Sequence, residues 1–387
     1  MLRSAKFRLY PTAPQALLMD KQFGCARYVW NWALDYSSWQ YRHNNTATFR
    51  QDWCRLLPKL KAWFPWLMAD ANAQSLQSEM IHLQDAFTRF FRNKAGRPKF
   101  KSKNDKQSLS LPQQFRLVDG HLSITKIKNI KCIVTRDLSD YKLRSVTITK
   151  TTTGKYYASV LYETGCLMPE PVVLDKARAL GVDLGVKTFA VLSTGEFIAN
   201  PRFLEKGSKR LRLLSKSLSR KKKGSFNRAK ARLKVALHHE KISFRRNDFL
   251  HKLTHKLVVE NQATSLCIED LNVKGMMKNR KLSKAIGSCN WSEFIRQLKY
   301  KCSWYGKNLL QCSRWAPTSK TCSQCGIVKS DLTLSERTFV CTCGARLDRD
   351  LNASLNIVDY AFRDLYPEDT GDFKPVEMKA LALAGAA

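Results

Sequence analysis

The chain has 387 residues, of which 67 are Lys or Arg and 32 are Asp or Glu, a formal net charge of +35. Hydrophobic residues make up 44%, which excludes a disordered basic chain, and the length suggests two or three domains. A compact molecule this cationic repels itself unless it works against a polyanion, so nucleic acid is the expected partner.

Residues 1–10 alternate in strand fashion, with Ala5, Phe7 and Leu9 on one side, and Pro11 ends the run. Thr12 can cap a helix starting near Ala13-Pro14; Gly24 predicts a break, followed by a second helix carrying Tyr28, Trp30, Trp32 and Leu34. Leu76, Met80, Leu83, Phe87 and Phe90 recur at intervals of 4, 3, 4 and 3, one apolar face of a helix over Gln74–Arg92. A basic stretch broken by Gly96 and Pro98 runs on to Lys106. Short strands are then expected at Ser108–Leu111, His121–Ile124, Lys131–Val134, Ser145–Thr149 and Tyr156–Tyr162, with turns such as Asp119-Gly120 and Thr153-Gly154 between them. The reading is a small β-barrel or sandwich formed by residues 1–11 and 107–172, holding a helical insertion at 12–106.

Past a linker at Pro169, Pro171 and Leu174, strands are expected at Ala179–Val186, at Thr188–Leu192 and from Glu196. Helices follow Pro201. Residues 201–250 carry 17 Lys or Arg against 3 Asp or Glu, including the run Arg220 to Lys223. This excess reads as the wall of a nucleic-acid channel, with Lys221 and Lys222 as candidate contacts; a plain solvated face is the alternative. A strand at Ser265–Glu269, a basic loop from Lys274 to Lys284 and a helix around Phe294, Leu298 and Cys302 complete the pattern. Residues 361–387 are expected to be a disordered tail. No run of 18 apolar residues offers a membrane span, and the first ten residues lack the apolar stretch of a signal peptide, so a reducing cytoplasm is expected.

Eight of the twelve cysteines are scattered singly, at 25, 54, 132, 166, 267, 289, 302 and 312, and read as small buried hydrophobes. The other four, Cys322, Cys325, Cys341 and Cys343, have the spacing C-x2-C-x15-C-x-C. Four thiolates in two close pairs suit one tetrahedral Zn²⁺, and Gly326 and Gly344 follow each pair where a tight turn must aim backbone N–H groups at sulfur.

Acidic residues are scarce, so acids in apolar strands stand out. Asp183 lies within Leu180-Gly181-Val182-Asp183-Leu184-Gly185-Val186, where a carboxylate is costly unless a cation or hydrogen bonds satisfy it. Glu269 ends the apolar run Leu266-Cys267-Ile268. Asp350 enters a short helix after Asp348-Arg349. Converging from two strands and a final helix, these three acids could hold two Mg²⁺ ions for phosphodiester hydrolysis. Asp348 is an alternative third ligand. Asp270 ranks below Glu269 because adjacent strand residues face opposite ways.

These segments together resemble the TnpB family of transposon-encoded, RNA-guided DNA nucleases, related to type V CRISPR effectors. The resemblance runs in order through Lys6-Phe7-Arg8-Leu9-Tyr10-Pro11-Thr12, Gly24-Cys25-Ala26-Arg27-Tyr28, Gly96-Arg97-Pro98-Lys99-Phe100-Lys101, and Gly181-Val182-Asp183-Leu184-Gly185. It continues through Ile268-Glu269-Asp270-Leu271, Trp291-Ser292-Glu293-Phe294, and Pro317-Thr318-Ser319-Lys320-Thr321-Cys322 to Asp348-Arg349-Asp350-Leu351-Asn352-Ala353. It implies an α+β multidomain protein. An RNase H-like RuvC nuclease domain (173–315 and 345–360) would carry Asp183, Glu269 and Asp350 as catalytic, Mg²⁺-binding acids, with Asp350 favoured over Asp348. A zinc ribbon (316–344) would interrupt it, and the N-terminal barrel would be a wedge domain with a helical recognition insertion. The implied activity is Mg²⁺-dependent cutting of double-stranded DNA beside a short target-adjacent motif, directed by a guide RNA from the transposon end. One protein per RNA is expected, in a prokaryotic, nucleoid-associated setting.

Such a protein holds an A-form heteroduplex by its backbone and needs positive charge spread along the chain. Gln77 is a candidate reader of the target-adjacent motif, since an amide can bond adenine bidentately, and Lys99, Lys101 and Lys103 are candidate backbone contacts. Two alternatives remain open. One is a nuclease-silent, RNA-guided repressor, which an intact acid triad argues against. The other is a protein-only transposase or resolvase of RNase H fold.

Overall fold

A computed structural model describes residues 1–333 and 336–365. The chain divides into two compact units, residues 1–167 with 222–237, and 168–221 with the remainder from 238.

The first unit is built on strands β1 (Leu2–Tyr10), β2 (Gln107–Leu111), β3 (Phe115–Val118), β4 (His121–Ile124), β5 (Ile127–Ile133), β6 (Lys142–Lys150) and β7 (Tyr156–Glu163). They form one antiparallel sheet in the order β2-β6-β7-β1-β5-β4-β3. Alternation does the work: Phe7, Leu109, Leu122, Ile130, Ile148 and Val160, one from each of six strands, are buried in a single core, with Leu117 of β3 packed against it. A sheet whose every strand feeds one interior must curl, so this is a nearly closed barrel, open between the edges β2 and β3.

The helical insertion holds α1 (Ala13–Asn44), α2 (Arg50–Trp63), α3 (Pro65–Asp70) and α4 (Ala73–Phe91). Gln15 accepts the Thr12 backbone N–H at 2.9 Å, completing the start of α1. The break expected at Gly24 does not occur; α1 runs straight through it. An interior glycine costs about 1 kcal/mol. Here its neighbours serve two cores at once: Phe23 and Ala26 pack into the barrel, Cys25 and Val29 into the insertion. That burial outweighs the glycine. The insertion core joins Val29, Trp53, Leu57, Leu76, Met80 and Leu83. Trp30 is buried and Trp32 and Phe87 pack at its margin, as core residues rather than stacking platforms.

In the second unit, β8 (Ala179–Leu184), β9 (Thr188–Leu192) and β10 (Phe197–Ala199) form an antiparallel meander. Helices α5 (Phe203–Ser219) and α6 (Phe226–His255, of which 226–237 are counted with the first unit) follow, then β11 (Ser265–Glu269), α7 (Val273–Met276), α8 (Ser283–Cys289), α9 (Trp291–Trp304) and β12 (Asn308–Cys312). The sheet order is β10-β9-β8-β11-β12, with β11 parallel to both of its neighbours. A short hairpin, β13 (Thr338–Val340) and β14 (Arg346–Asp348), leads directly into α10 (Arg349–Arg363). One sheet face packs on Leu250, Leu253, Phe294 and Leu298 of α6 and α9. The other packs Cys267 and Cys312 against Ile357, Val358 and Ala361 of α10.

Gly181 makes the second packing possible: a Cβ there would lie 1.9 Å from the Ser354 carbonyl oxygen, so only hydrogen lets α10 rest on β8. β8 stops two residues before the expected Val186, because the Gly185 N–H turns to bond the Phe189 carbonyl. The tail expected from residue 361 begins too early; α10 continues to Arg363, held by the buried Ala361. The rest of that expectation, 366–387, lies outside the described residues. Among the described residues, no helix is long and apolar enough to cross a membrane.

Candidate active site and metal centre

Strand register brings the first two acids together. Val182 pairs with Ile268 in the parallel β8–β11 ladder, so Asp183 and Glu269 sit at the same level on the C-terminal ends of adjacent strands. Alternation fixes their face. Gly181 and Cys267, two residues earlier on each strand, both face α10, so Asp183 and Glu269 do as well. Asp350 lies in the first turn of α10, which packs on β8.

The convergence has an electrostatic signature. Burial, then the charges of Glu269 and Asp350, push the Asp183 carboxyl from 3.8 up to about 8, while Arg349 acts in the opposite sense. The Arg349 Nη2 lies 3.4 Å from the nearer Asp350 carboxylate oxygen. A buried carboxyl raised further by two neighbouring carboxylates would be relieved by a divalent cation, for which oxygen donors of this kind are suited. The acids are nevertheless less tightly gathered than the cysteines. Among the described residues, the cysteine quartet is the one set of three or more His, Cys, Asp or Glu side chains close enough to hold a metal ion as it stands.

The two aspartates weighed in the sequence, of which the resemblance favours Asp350, have different surroundings. Asp348 is the N-cap of α10; its Oδ1 accepts the N–H groups of Asp350 at 2.9 Å and Leu351 at 3.1 Å. That leaves Asp350, inside the helix, as the acid at the carboxylate cluster. Asp270 is likewise spent elsewhere, paired with the Arg314 guanidinium.

Glu269 has a partner that sequence reasoning missed: the hydroxyl of buried Thr318 donates to its Oε1 at 2.6 Å. Polar residues at every fourth position of α10 hold the same loop. Asn356 Nδ2 bonds the Thr318 carbonyl at 2.8 Å and the Thr321 carbonyl at 2.6 Å. Asn352 Nδ2 bonds the Thr321 carbonyl at 2.7 Å, and the Tyr360 and Thr321 hydroxyls lie 2.9 Å apart. The signal available in sequence was Asn352, Asn356 and Tyr360, spaced four apart and so on one face of the helix.

The four cysteine sulfurs lie within 4.8 Å of one another. Cys322 and Cys343 sulfurs are 3.7 Å apart, and those of Cys325 and Cys341 3.5 Å. Tetrahedral Zn–S bonds of about 2.3 Å require sulfurs about 3.8 Å apart, so the cluster is compatible with a structural zinc. Gly326 (φ +76°) and Gly344 (φ +93°) take the left-handed turns that the spacing predicted. The compact C-x-C pair occupies the hairpin loop between β13 and β14. The Cys343 backbone N–H brings the Cys341 thiol down to about 6. Cys325 is drawn down by the Ile327 N–H, yet burial and its hydrogen bonds with the other three sulfurs push it up to about 12 overall. Four crowded sulfurs cannot all ionise without a cation among them. Of the eight single cysteines, six are buried, Cys54 is partly so, and Cys166 is exposed, contrary to the expectation of burial.

The candidate nucleic-acid residues divide. Gln77, Lys99, Lys103, Lys221 and Lys222 are exposed. Lys101 is engaged within the first unit: its Nζ lies 2.5 Å from the buried Glu79 carboxylate and 3.8 Å from the Trp30 ring centre. Its charge balances Glu79, whose carboxyl burial would raise but His82 and Lys101 bring below the usual range.

Comparison with known proteins decides the family. Residues 160–280, which include Asp183 and Glu269, match the OrfB_IS605 family described as "Probable transposase". Residues 291–357, which include the four cysteines and Asp350, match the Cas12f1-like TNB domain. Residues 1–46 match a family described as a helix-turn-helix domain, although here they form β1 and one unbroken helix. The chain is 37% identical over 362 residues to "Putative RNA-guided DNA endonuclease" of Streptomyces pristinaespiralis, covering 92% of this chain and 88% of that relative. It belongs to the TnpB family of RNA-guided DNA endonucleases. A second member, "Putative RNA-guided DNA endonuclease InsQ" of Escherichia coli K12, is 29% identical over 382 residues and 92% of each chain is covered. The fold is similar to that of Cas12f1 solved with sgRNA and target DNA (TM-score 0.51, 16% identity, 92% of this chain and 98% of that one covered).

Proposed function

We propose that this TnpB-family chain is a guide-RNA-directed endonuclease that cuts double-stranded DNA beside a short target-adjacent motif, at a RuvC-type centre formed by Asp183, Glu269 and Asp350. The observation that carries the reading is the strand register that sets Asp183 beside Glu269 on the sheet face against which α10, bearing Asp350, packs; the Asp183 carboxyl, raised by burial and then by the other two acids, agrees with it. An antiparallel three-strand meander extended by two parallel strands is the order expected of an RNase H-like sheet, which supports the same assignment.

The three carboxylates would hold two Mg²⁺ ions. When bound, Mg²⁺ polarises the scissile phosphate and makes a water more acidic at neutral pH. The chain's own groups do the rest. Asp183 and Glu269 hold their carboxylates on one sheet face, and α10 carries the third on a turn fixed by the Asp348 cap. Arg349 places a guanidinium beside Asp350, where it can meet a DNA phosphate oxygen. The domain reading is likewise proposed: residues 1–11 and 107–172 as the wedge, 12–106 as the recognition insertion, with Gln77, Lys99, Lys103, Lys221 and Lys222 contacting nucleic acid. The guide RNA would derive from the transposon end, one protein to each RNA.

The deciding test is plasmid cleavage by the RNA-loaded protein in Mg²⁺. Asp183→Ala, Glu269→Ala and Asp350→Ala should each lower the rate by about a thousandfold or more while guided DNA binding persists. Cleavage by all three variants at the wild-type rate removes the assignment.

A further inference from the structure

Residues 313–321 join β12 to Cys322, and the acid triad leaves their Pro317–Thr321 part without a role. We propose that Thr318 is a positioning residue for the nuclease reaction: its hydroxyl fixes the Glu269 carboxylate for metal binding and ties that carboxylate to the root of the cysteine cluster. The inference deepens the reading of Glu269 as a metal ligand and rests on it.

Three observations carry it. Thr318 is 4% exposed, and its hydroxyl donates to Glu269 Oε1 at 2.6 Å, a short charge-assisted bond. A donor on one lobe of Oε1 restrains carboxylate rotation and leaves Oε2 open. The backbone of Thr318 is also held: its N–H bonds the Ala316 carbonyl at 2.8 Å, and its carbonyl accepts from buried Asn356 at 2.8 Å. The donor therefore sits on a fixed support rather than on a swinging loop.

The same support carries the cysteines. Asn352 and Asn356 both donate to the Thr321 carbonyl, and Asn352 Oδ1 accepts the Ser323 N–H at 3.0 Å, on either side of Cys322. Both asparagines lie on α10, the helix that bears Asp350. One polar stripe thus sets the loop that positions Glu269, the first cysteine and the third acid together. A residue that orients a metal ligand typically changes metal affinity or activity by about 10- to 100-fold when removed.

The test compares Thr318→Val and Thr318→Ser in the full RNA-loaded complex. Val keeps the shape and removes the hydroxyl; Ser restores it. Three quantities are read: cleavage rate against Mg²⁺ concentration, Mn²⁺ affinity of the complex by calorimetry, and melting temperature. The expected result for Val is a Mg²⁺ midpoint raised about tenfold and weakened Mn²⁺ binding, with melting within a few degrees of wild type and Ser within about twofold on every measure. A Val variant with wild-type Mg²⁺ midpoint and Mn²⁺ affinity overturns the proposal. So does a Val variant that loses activity only by melting early, or one that Ser fails to rescue. Asp183→Ala, run in parallel, separates the two claims. If it still cleaves, the carboxylate centre itself is misassigned. If it is inactive while Val behaves as wild type, only the role of Thr318 falls.

Discussion

The cysteine quartet and the acid triad of this chain are assembled in opposite ways. The four cysteines arise from two sequence-local pairs in tight turns, and their sulfurs already lie within 4.8 Å of one another. The three acids come from two strands and a helix spread over residues 183–350, and burial, then the charges of Glu269 and Asp350, push the Asp183 carboxyl up to about 8. A local cluster is set by turn geometry. A distributed one is set by sheet register and helix docking, and its groups repel until a cation offsets them. The first should therefore act as a structural staple, and the second should be sensitive to every contact that docks α10 on β8.

Removing the staple should have the largest effect. Cys322→Ser or exhaustive chelation should release one zinc per chain by metal analysis and cost several kcal/mol of ribbon stability. Cleavage should fall with it, because β14 delivers Asp350. Activity that survives complete zinc loss would break the comparison. Gly181→Ala comes next. Its methyl would strike the Ser354 carbonyl, so about 1–3 kcal/mol of stability should be lost in thermal melts, with cleavage reduced even below the melting point.

Asp183→Asn sharpens the electrostatic side. Asp183 binds its proton more tightly folded than unfolded, so its contribution to folding stability is fully present below about pH 4 and is lost as pH rises toward about 8. Without divalent cations, the Asn variant should therefore melt higher than wild type at pH 8, by the equivalent of a few kcal/mol at most, and the two should agree near pH 4. Mg²⁺ should raise the wild-type melting temperature and leave the variant nearly unmoved. The smallest effect is expected for Asp348→Ala, which removes the α10 cap at about 1 kcal/mol and should leave Mg²⁺ binding in place.

Much of the second unit was legible in sequence. Thr188–Leu192 and Ser265–Glu269 are strands as expected, because short apolar runs bounded by turn residues have few other uses. Asp183 announced itself as a carboxylate in such a run, and the cysteines by their spacing. Other features were hidden for physical reasons. β12 is an edge strand, and its sequence Asn308–Cys312 does not alternate. β13 and β14 have three residues each, too few for a period to show. Helix α2 contains Pro58, which argues locally against a helix that tertiary packing of Trp53 and Leu57 nevertheless sustains. The capping role of Asp348 depends on where α10 begins, and the pairing of Thr318 with Glu269 on a contact between residues 49 positions apart.

The opening in the N-terminal barrel has its own consequence. β2 and β3 are consecutive in the chain, separated only by Pro112, Gln113 and Gln114, yet they are the two margins that do not pair. No ladder of backbone hydrogen bonds crosses this seam, and lengthening such a link costs only a fraction of a kcal/mol in closure entropy for a few added residues. The seam is thus the natural place to splice in a reporter peptide, since the barrel's interior is completed by the strands on either side of it.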